Sequence, residues 1–334
     1  MIIKKLISTV IFTIIFVTAA ISDSALEDKA KKKLTNKLDK SVGTFSKKVS
    51  ENIASFAKNN FNSLKYLDFS IDTAEYLKPT FSIMSVTELL ELGNGGTIFN
   101  QTSLNTHDSD ETINIGFGAR KLLYDNKLIF GINTFYDHQF DENHKRIGLG
   151  AETISSLFDL RGNYYNAMSD LRTNKEGSYQ ERALDGWDLR GDYHLPIQQD
   201  VNIFITAYKF KNPQDGSDFE DKGNKFGADA KLGNFVIEAG YDSSNREKDN
   251  YFGSVKYVVA LGDNVKKGYY ALSEIEDPIS DKKMKDSYRF ASLKKLKKAF
   301  EYTSVEDKLY QPVKRENKIR VVKISASGFV ASGF

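Results

Sequence analysis

The sequence predicts an all-β fold, a 12-stranded antiparallel transmembrane β-barrel preceded by a short periplasmic α-helical segment. Three observations carry that expectation. An apolar leader implies export, a hydropathy period of two runs for about 200 residues, and short connections alternate with longer ones along the chain.

The leader comes first. Lys4 and Lys5 form a basic start, and Leu6 to Ala20 is an apolar run of signal-peptide length, too short for a full membrane span and followed at once by polar residues. Small residues place the cut after Ala20 or after Ser22. The chain has 334 residues, net charge +2 and no cysteine, so an exported fold of this size is not a disulfide-stapled domain. After the leader no stretch approaches the twenty or so apolar residues of a membrane helix, and a closed barrel is then the other structure that satisfies every backbone polar group in lipid.

From Leu26 to Asn62 the period is helical. Leu34, Leu38, Val42, Phe45, Val49, Ile53 and Phe56 recur at three and four, with Lys-rich faces between them. Such a basic amphipathic segment suits periplasmic anchoring or dimerisation, a solvated linker, or a membrane surface.

From Lys65 onward the period is two. Ile113, Ile115, Phe117 and Ala119 alternate with Asn114, Gly116, Gly118 and Arg120. Leu128, Phe130, Ile132, Thr134 and Tyr136 oppose Gly131, Asn133 and Asp137; Ile147, Leu149 and Ala151 oppose Arg146, Gly148, Gly150 and Glu152. Phe158, Leu160 and Tyr164 oppose Asp159, Arg161 and Asn163, and Trp187, Leu189 and Tyr193 oppose Asp188, Arg190 and Asp192. A soluble sandwich also alternates, but its filled face is the core. Here glycines recur on the polar face beside charged residues, which suits a hydrated lumen where glycine leaves room for something to pass. Tyr and Phe cluster near strand ends as an interfacial girdle would. The lumen-facing candidates are Asn114, Gly116, Gly118, Arg120, Arg146, Gly148, Gly150, Glu152, Asp159, Arg161, Asp188, Arg190 and Asp192.

Twelve strands fit the pattern, near 65–74, 78–90, 96–106, 110–121, 127–139, 144–154, 156–168, 186–196, 200–212, 222–232, 233–243 and 250–262. Connections after even strands are short, such as Asp125-Asn126 and Gly233-Asn234. Odd strands lead into polar loops, the longest being Ser169 to Asp185 and Pro213 to Asp221. Short periplasmic turns and longer outer loops are the pattern of a bacterial outer-membrane barrel, and an even strand count puts both barrel ends of the chain in the periplasm.

The stretches TINIGFGARKLL, FGINTFYDHQFDENHKRIGLGAE, LRGNYYNAMSD and YQERALDGWDLRGDYHLP, in that order and spacing, resemble the barrel domain shared by intimin and invasin, the inverse autotransporters. The resemblance covers roughly 64–262, with a fainter echo in LYQPVKRENKI at 309–319. It implies a barrel whose linker threads back through the pore and displays a C-terminal passenger, with adhesion as the associated activity. Carried onto this chain, it gives residues 1–22 as signal peptide, 23–63 as periplasmic helical segment, 64–262 as barrel, 263–312 as pore-threading linker and 313–334 as a short tail, a passenger remnant or a truncated passenger. Within the linker, the basic stretch Asp281 to Phe300 would meet Asp159, Asp188, Asp192, Asp229 and Glu238, or lie as a solvated helix beside the barrel. The sequence stops at Phe334, which leaves open a passenger lost or encoded elsewhere, a truncated reading frame, or a tail that is itself all that is displayed.

Enzyme chemistry lacks components. His107, His138, His144 and His194 fall on different loops or strands without metal-ligand spacing, no Ser and His pair shares an outer strand face, and no catalytic, cofactor-binding or metal-binding residue is expected. Asp137, Asp141 and Glu142 read as a solvated acidic loop rather than a cation site. YQER at Tyr179 to Arg182 belongs to the resemblance without chemistry beyond loop packing. The expected partners are outer-membrane lipid and the barrel-assembly machinery, with peptidoglycan or a second copy of the chain for the N-terminal segment and no nucleic acid. A host receptor is not readable from the residues. The expected location is the bacterial outer membrane, N-terminus periplasmic and C-terminus at the cell surface. The alternative function is a plain outer-membrane pore or structural envelope barrel that has lost its passenger.

Overall fold

The computed structural model describes residues 63–74, 79–107, 110–174, 177, 179–195, 200–232, 234–246, 249–260, 302–325 and 328–333. The expected leader, the expected helical segment as far as residue 62 and the part of the expected linker from 263 to 301 lie outside them. In chain order the strands are β1 (Leu64–Ala74), β2 (Thr80–Gly93), β3 (Gly96–His107), β4 (Asp110–Leu123), β5 (Leu128–Gln139), β6 (Lys145–Ser155), β7 (Phe158–Ala167), β8 (Arg172–Thr173), β9 (Gln180–Ala183), β10 (Asp185–His194), β11 (Asp200–Lys211), β12 (Glu220–Leu232), β13 (Phe235–Ser244), β14 (Asn250–Ala260), β15 (Val321–Ser325) and β16 (Gly328–Gly333).

Twelve of these form a closed antiparallel barrel in the order β1 to β7, then β10 to β14, and β14 returns to β1 with Tyr66 opposite Ala260 and Ala74 opposite Phe252. Closure removes the unpaired edges that an open sheet would present to lipid. Each end of these twelve barrel strands lies within three residues of the end expected from sequence, because period-two hydropathy marks a strand wherever one face meets a different medium from the other.

The barrel is inside out relative to a soluble fold. On β6, Leu149 is 58% exposed on the outer face, while Arg146, three residues earlier and facing inward, is wholly buried. Phe117, Phe130, Ile132, Leu160, Tyr164, Trp187 and Leu189 are exposed in the same way, whereas Arg120, Glu152, Asp159, Arg161, Asp188 and Asp192 are buried. An apolar outer band around a polar interior is stable in a bilayer and would aggregate in water.

Connections differ at the two ends. At one end β2–β3 and β4–β5 turn tightly, with Asn94 and Gly95 at φ 49° and 75° and Tyr124, Asp125 and Asn126 at φ 52° to 63°. Asn, Asp and Gly tolerate this left-handed backbone, while Tyr124 adopts it less readily. The opposite end carries the β7–β10 and β11–β12 loops. There the hydroxyls of Tyr241 and Ser243 donate to Asp249 at 2.5 and 2.9 Å and hold its carboxyl below the ordinary carboxylate value.

A second, four-stranded sheet, in the order β16-β15-β9-β8, sits at the loop end. From sequence, Ser169 to Asp185 reads as a polar loop. Strands of two and four residues are too short to show a period, and β9 owes its pairing to β15, some 140 residues later.

The threaded lumen as the candidate functional site

Residues 305–320 run through the barrel from the turn end to the loop end. At the turn end the Val305 amide donates to the Asn126 carbonyl at 2.7 Å, and the Lys308 ammonium reaches the Ser155 carbonyl at 2.8 Å. A single 3-10 turn, Glu306–Lys308, tucks Val305 and Leu309 against Leu122, Ile129 and Ile154. Further in, the chain touches β3, β4, β5, β6, β7, β10 and β12, a span of wall that a segment can reach only from inside a closed barrel.

An extended chain in a pore has no ladder of its own, so its backbone groups need partners from the wall. Wall side chains provide them. Arg120 donates to the carbonyls of Leu309 and Gln311 at 2.8 and 2.6 Å. Gln101 pairs with both backbone groups of Val313, accepting from its amide at 2.7 Å and donating to its carbonyl at 3.3 Å. Asn163 donates to Lys314 O at 3.2 Å, Arg146 to Glu316 O at 2.7 Å and Asn114 to Asn317 O at 2.9 Å, while the Glu316 amide donates to the Tyr165 hydroxyl at 2.8 Å.

Ion pairs supply the second grip. Arg315 donates two bonds to Asp137, at 2.8 and 2.6 Å, and Asp137 also accepts from Arg146 at 2.8 Å and Asn114 at 2.8 Å. Lys314 lies 2.9 Å from Asp192 and 3.6 Å from Asp229, and Lys308 lies 3.9 Å from Asp159. The wall also pairs with itself. Arg120 meets Glu152 at 2.7 Å, Arg161 meets Asp159 and Asp192 at 2.9 Å each, and Arg190 meets Asp192 at 2.8 Å. Buried charges are tolerated where each is paired and hydrogen-bonded in this way.

The inward glycines make room for aromatic rings of the wall more than for the passing chain. A Cβ on Gly116 would lie 2.2 Å from the Phe135 ring, and one on Gly118 would lie 2.4 Å from the Phe99 ring. Gly150 accommodates Asn133 and Asn163, and of these four glycines it is Gly148 that faces the threaded chain, where an added Cβ would lie 3.2 Å from Arg315 Nη2. The rings then carry cations, with the Arg315 guanidinium 4.3 Å from the Phe135 centroid and that of Arg120 4.6 Å from Phe99.

The sequence-derived candidates thus gather on β4, β6, β7 and β10. Asn114, Arg120 and Arg146 hold the linker backbone and Asp192 holds Lys314. Glu152, Asp159 and Arg161 form the wall network; Asp188 accepts from Tyr165 at 2.5 Å and from Asn163 at 2.7 Å, and Arg190 stacks 3.7 Å over Phe204. Asp137 needs correction. It is wholly buried on β5 between two arginines, not part of a solvated loop with Asp141 and Glu142. Of the wall acids expected to meet residues 281–300, Asp159, Asp192, Asp229 and Glu238 are met, among the described residues, by Arg161, Arg190, Lys308 and Lys314, and Asp188 by Tyr165 and Asn163. The segment inside the barrel also extends to Arg320, past the expected boundary at 312. Gln101, Tyr165, Arg315 and Arg320 are not among the sequence-derived candidates, although Tyr165 stands in phase with Asp159, Arg161 and Asn163. His144 lies buried between Ser169 and Glu181, 2.9 and 3.2 Å away, and no His, Asp and Glu group among the described residues has metal-binding geometry.

Residues 18–231 match the family model described as "Inverse autotransporter, beta-domain". The chain belongs to the inverse autotransporter β-domain family. Among curated relatives it is similar to the "Putative attaching and effacing protein homolog" of Escherichia coli K12, at 32% identity over 129 residues, 38% of this chain and 43% of that protein. It is 31% identical to invasin of Yersinia enterocolitica and 35% to intimin of Citrobacter freundii, each over 29% of this chain. These matches span 12% and 10% of those two proteins, so the matched stretch corresponds to a minor part of their length. A solved structure described as "Unveiling the Mechanism Behind the in-meso Crystallization of Membrane Proteins" has the same fold, with a TM-score of 0.61 at 16% identity, covering 78% of this chain and 99% of that one. An inverse autotransporter barrel is an outer-membrane protein, and its apolar outer band accords with that location.

Proposed function

We propose that this barrel is a translocator and anchor that exports its own C-terminal segment through its lumen and displays it at the cell surface. The observation that supports this is the way the wall holds residues 309–320, largely by their backbone. A wall of Arg, Asn, Gln and Tyr that bonds amides and carbonyls accepts many passing sequences, as a conduit for a polypeptide requires. The tight-turn end is assigned to the periplasm and the loop end to the outside, so the linker re-enters from the periplasm after β14 and leaves beside β9. The N-terminal segment then lies in the periplasm, where peptidoglycan or a second copy is within its reach. Like outer-membrane barrels in general, the chain depends on the barrel-assembly machinery for insertion. Adhesion belongs to whatever the C-terminal segment carries outward.

The decisive test is topological. A tag placed after Phe334 is reached by antibody or protease on intact cells, as are loop tags at Glu176 and Asp215, while a tag near Lys40 is protected until the outer membrane is opened. Accessible loop tags with an inaccessible C-terminal tag would refute export. A second reading, a plain pore or structural envelope barrel, draws on the cavity of about 990 Å³ between the linker and the β1–β2 and β11–β14 walls. It predicts large conductance in the intact protein and a C-terminal tag that never reaches the outside.

A further inference from the structure

At the loop mouth the contacts change character. Inside the barrel each acid that meets the linker already has a cation of the wall: Asp137 has Arg146, and Asp159 and Asp192 have Arg161. Asp221, at the mouth, is nearly fully buried, and its ion-pair partner among the described residues is Arg320 of the linker, at 2.7 Å. The Arg320 guanidinium also lies 4.3 Å from the Tyr208 ring centroid and 4.8 Å from that of Phe210, so it occupies a slot with an acid at its end and aromatic walls. A planar guanidinium suits such a slot in a way that lysine would not.

Beyond Arg320 the chain becomes a strand. The Leu184 amide donates to the Arg320 carbonyl at 2.9 Å, and β15 then pairs antiparallel with β9 in a fixed register, Val321 with Ala183 through Ile324 with Gln180. Its two faces are both covered. Val322 is wholly buried among Tyr165, Leu184, Tyr208, Phe210 and Phe219, and Val321 packs with Ala183 and Ile319 on the opposite side. The acceptor strand is itself braced, since Glu181 of β9 is 3.2 Å from the buried His144 ring, whose other nitrogen is 2.9 Å from Ser169. This accounts for YQER, whose last three residues supply most of the acceptor edge.

We propose that the rim of this barrel is a stop site, which recognises Arg320 to Ile324 of the outgoing chain and fixes the register at which the linker comes to rest. It rests on the reading that the linker is exported through the lumen. Within the lumen the wall grips mainly backbone and its acids are already paired, so a passing chain finds many similar sites. At the mouth an arginine completes an ion pair and is followed by a strand with apolar residues for two pockets. One register satisfies all of these together, and strand addition onto a braced edge makes it specific.

A register-shift experiment on the full-length chain tests this, using its lack of cysteine. Gly-Ser is inserted between Asn317 and Lys318, and Gln180→Cys is combined with either Ile324→Cys or Val322→Cys, native numbers being kept. If the mouth sets the register, the extra residues loop out and the disulfide forms with position 324, as it does without the insertion. If the lumen contacts set it, the exit strand slides outward by two residues and the disulfide moves to position 322, which overturns the proposal. Asp221→Asn with Arg320→Gln should abolish the preference and let both pairs cross-link in the inserted chain; an unchanged preference for 324 would overturn the role given to that ion pair. Heat-modifiable gel mobility confirms a folded barrel in each case. The tag after Phe334 reports export separately, so a preserved 324 cross-link with an inaccessible tag would refute the export reading while leaving a register lock in place.

Discussion

Asp137→Asn is the sharpest test of how the linker is held. Asp137 is wholly buried and accepts from Arg146, from Asn114 and twice from Arg315, so neutralising it leaves two buried guanidinium groups facing an amide. Removing one member of a buried charge cluster costs about 3–5 kcal/mol where the partner charges stay buried. Here the linker can relieve part of that cost by withdrawing Arg315, which shifts the balance between held and released linker. At roughly 1.4 kcal/mol per decade, even 3 kcal/mol lowers the held-to-released ratio by about a hundredfold. The amides of Val313 and Glu316, bonded to Gln101 and the Tyr165 hydroxyl, report that ratio directly through hydrogen exchange followed by mass spectrometry of the 309–320 peptide. The expected result is a protection loss of about two decades in that peptide, with the β4 and β6 peptides unchanged. Arg315→Gln leaves the Arg146–Asp137 pair intact and should cost less, about 1.5–3 kcal/mol for lost charge-assisted bonds, and the double variant should cost less than the two single losses combined. Unchanged exchange at 309–320 in a folded Asp137→Asn barrel would refute the view that this ion cluster holds the linker.

Other perturbations probe the wall. Leu149→Arg on the outer face should cost about 2–4 kcal/mol of barrel stability near the bilayer midplane, whereas Thr206→Arg, lining the open lumen cavity, should cost less; denaturant titration in detergent or vesicles measures both, and equal losses would count against the facing. Gly116→Ala must displace the Phe135 ring and should destabilise by about 1–3 kcal/mol, while Gly191→Ala, whose Cβ meets open space, should be nearly neutral by the same titration. Deleting residues 305–320 should raise single-channel conductance, because the linker shares the lumen with a cavity of about 990 Å³; unchanged conductance would mean the linker does not limit the pore.

The barrel was legible because each strand separates lipid from a polar interior, and that contrast imprints a period of two that survives in one sequence. Leu149 beside Gly148 and Gly150, or Leu160 beside Asp159 and Arg161, declares its face without any partner. The inward arginines and acids could be placed for the same reason. What they do with one another could not, since the Arg161–Asp192 pair joins β7 to β10 across the β8–β9 insertion and depends on barrel register. The linker was less legible still. Residues 309–320 have no period because the wall, not a neighbouring strand, satisfies their backbone, and a single cation such as Arg315 stands out less in a sequence than the lysine-dense stretch from 281 to 300. Asp137 reads as part of an acidic loop because Asp141 and Glu142 stand close to it in sequence, and strand alternation takes that cluster apart by turning Asp137 inward.

The distribution of charge along the path bears on how one barrel can both pass a chain and hold it. A wall lined with unpaired carboxylates would seize every lysine of an outgoing polypeptide, and each step would have to break a buried ion pair at a cost of several kcal/mol. Pairing those acids with wall arginines beforehand lowers the depth of each trap, since an arriving cation shares an acid already partly neutralised and an arriving neutral residue leaves no naked charge behind. Arg161, placed between Asp159 and Asp192, does this for the two acids that meet Lys308 and Lys314. Holding then requires several modest contacts made at once, and residues 309–320 make them through backbone and side chain together. Moving forward by one residue breaks the Asp221–Arg320 pair and the β9–β15 register at the mouth in step, whereas in the lumen a chain in transit exchanges one set of backbone bonds for a similar one. On this basis the wall arginines serve passage as much as stability: Arg161→Gln should slow appearance of the C-terminal tag at the surface in a pulse-chase, even where the barrel inserts at its normal rate. A variant that inserts normally and exposes its tag on the wild-type schedule would show that pre-paired acids are not what keeps the path smooth.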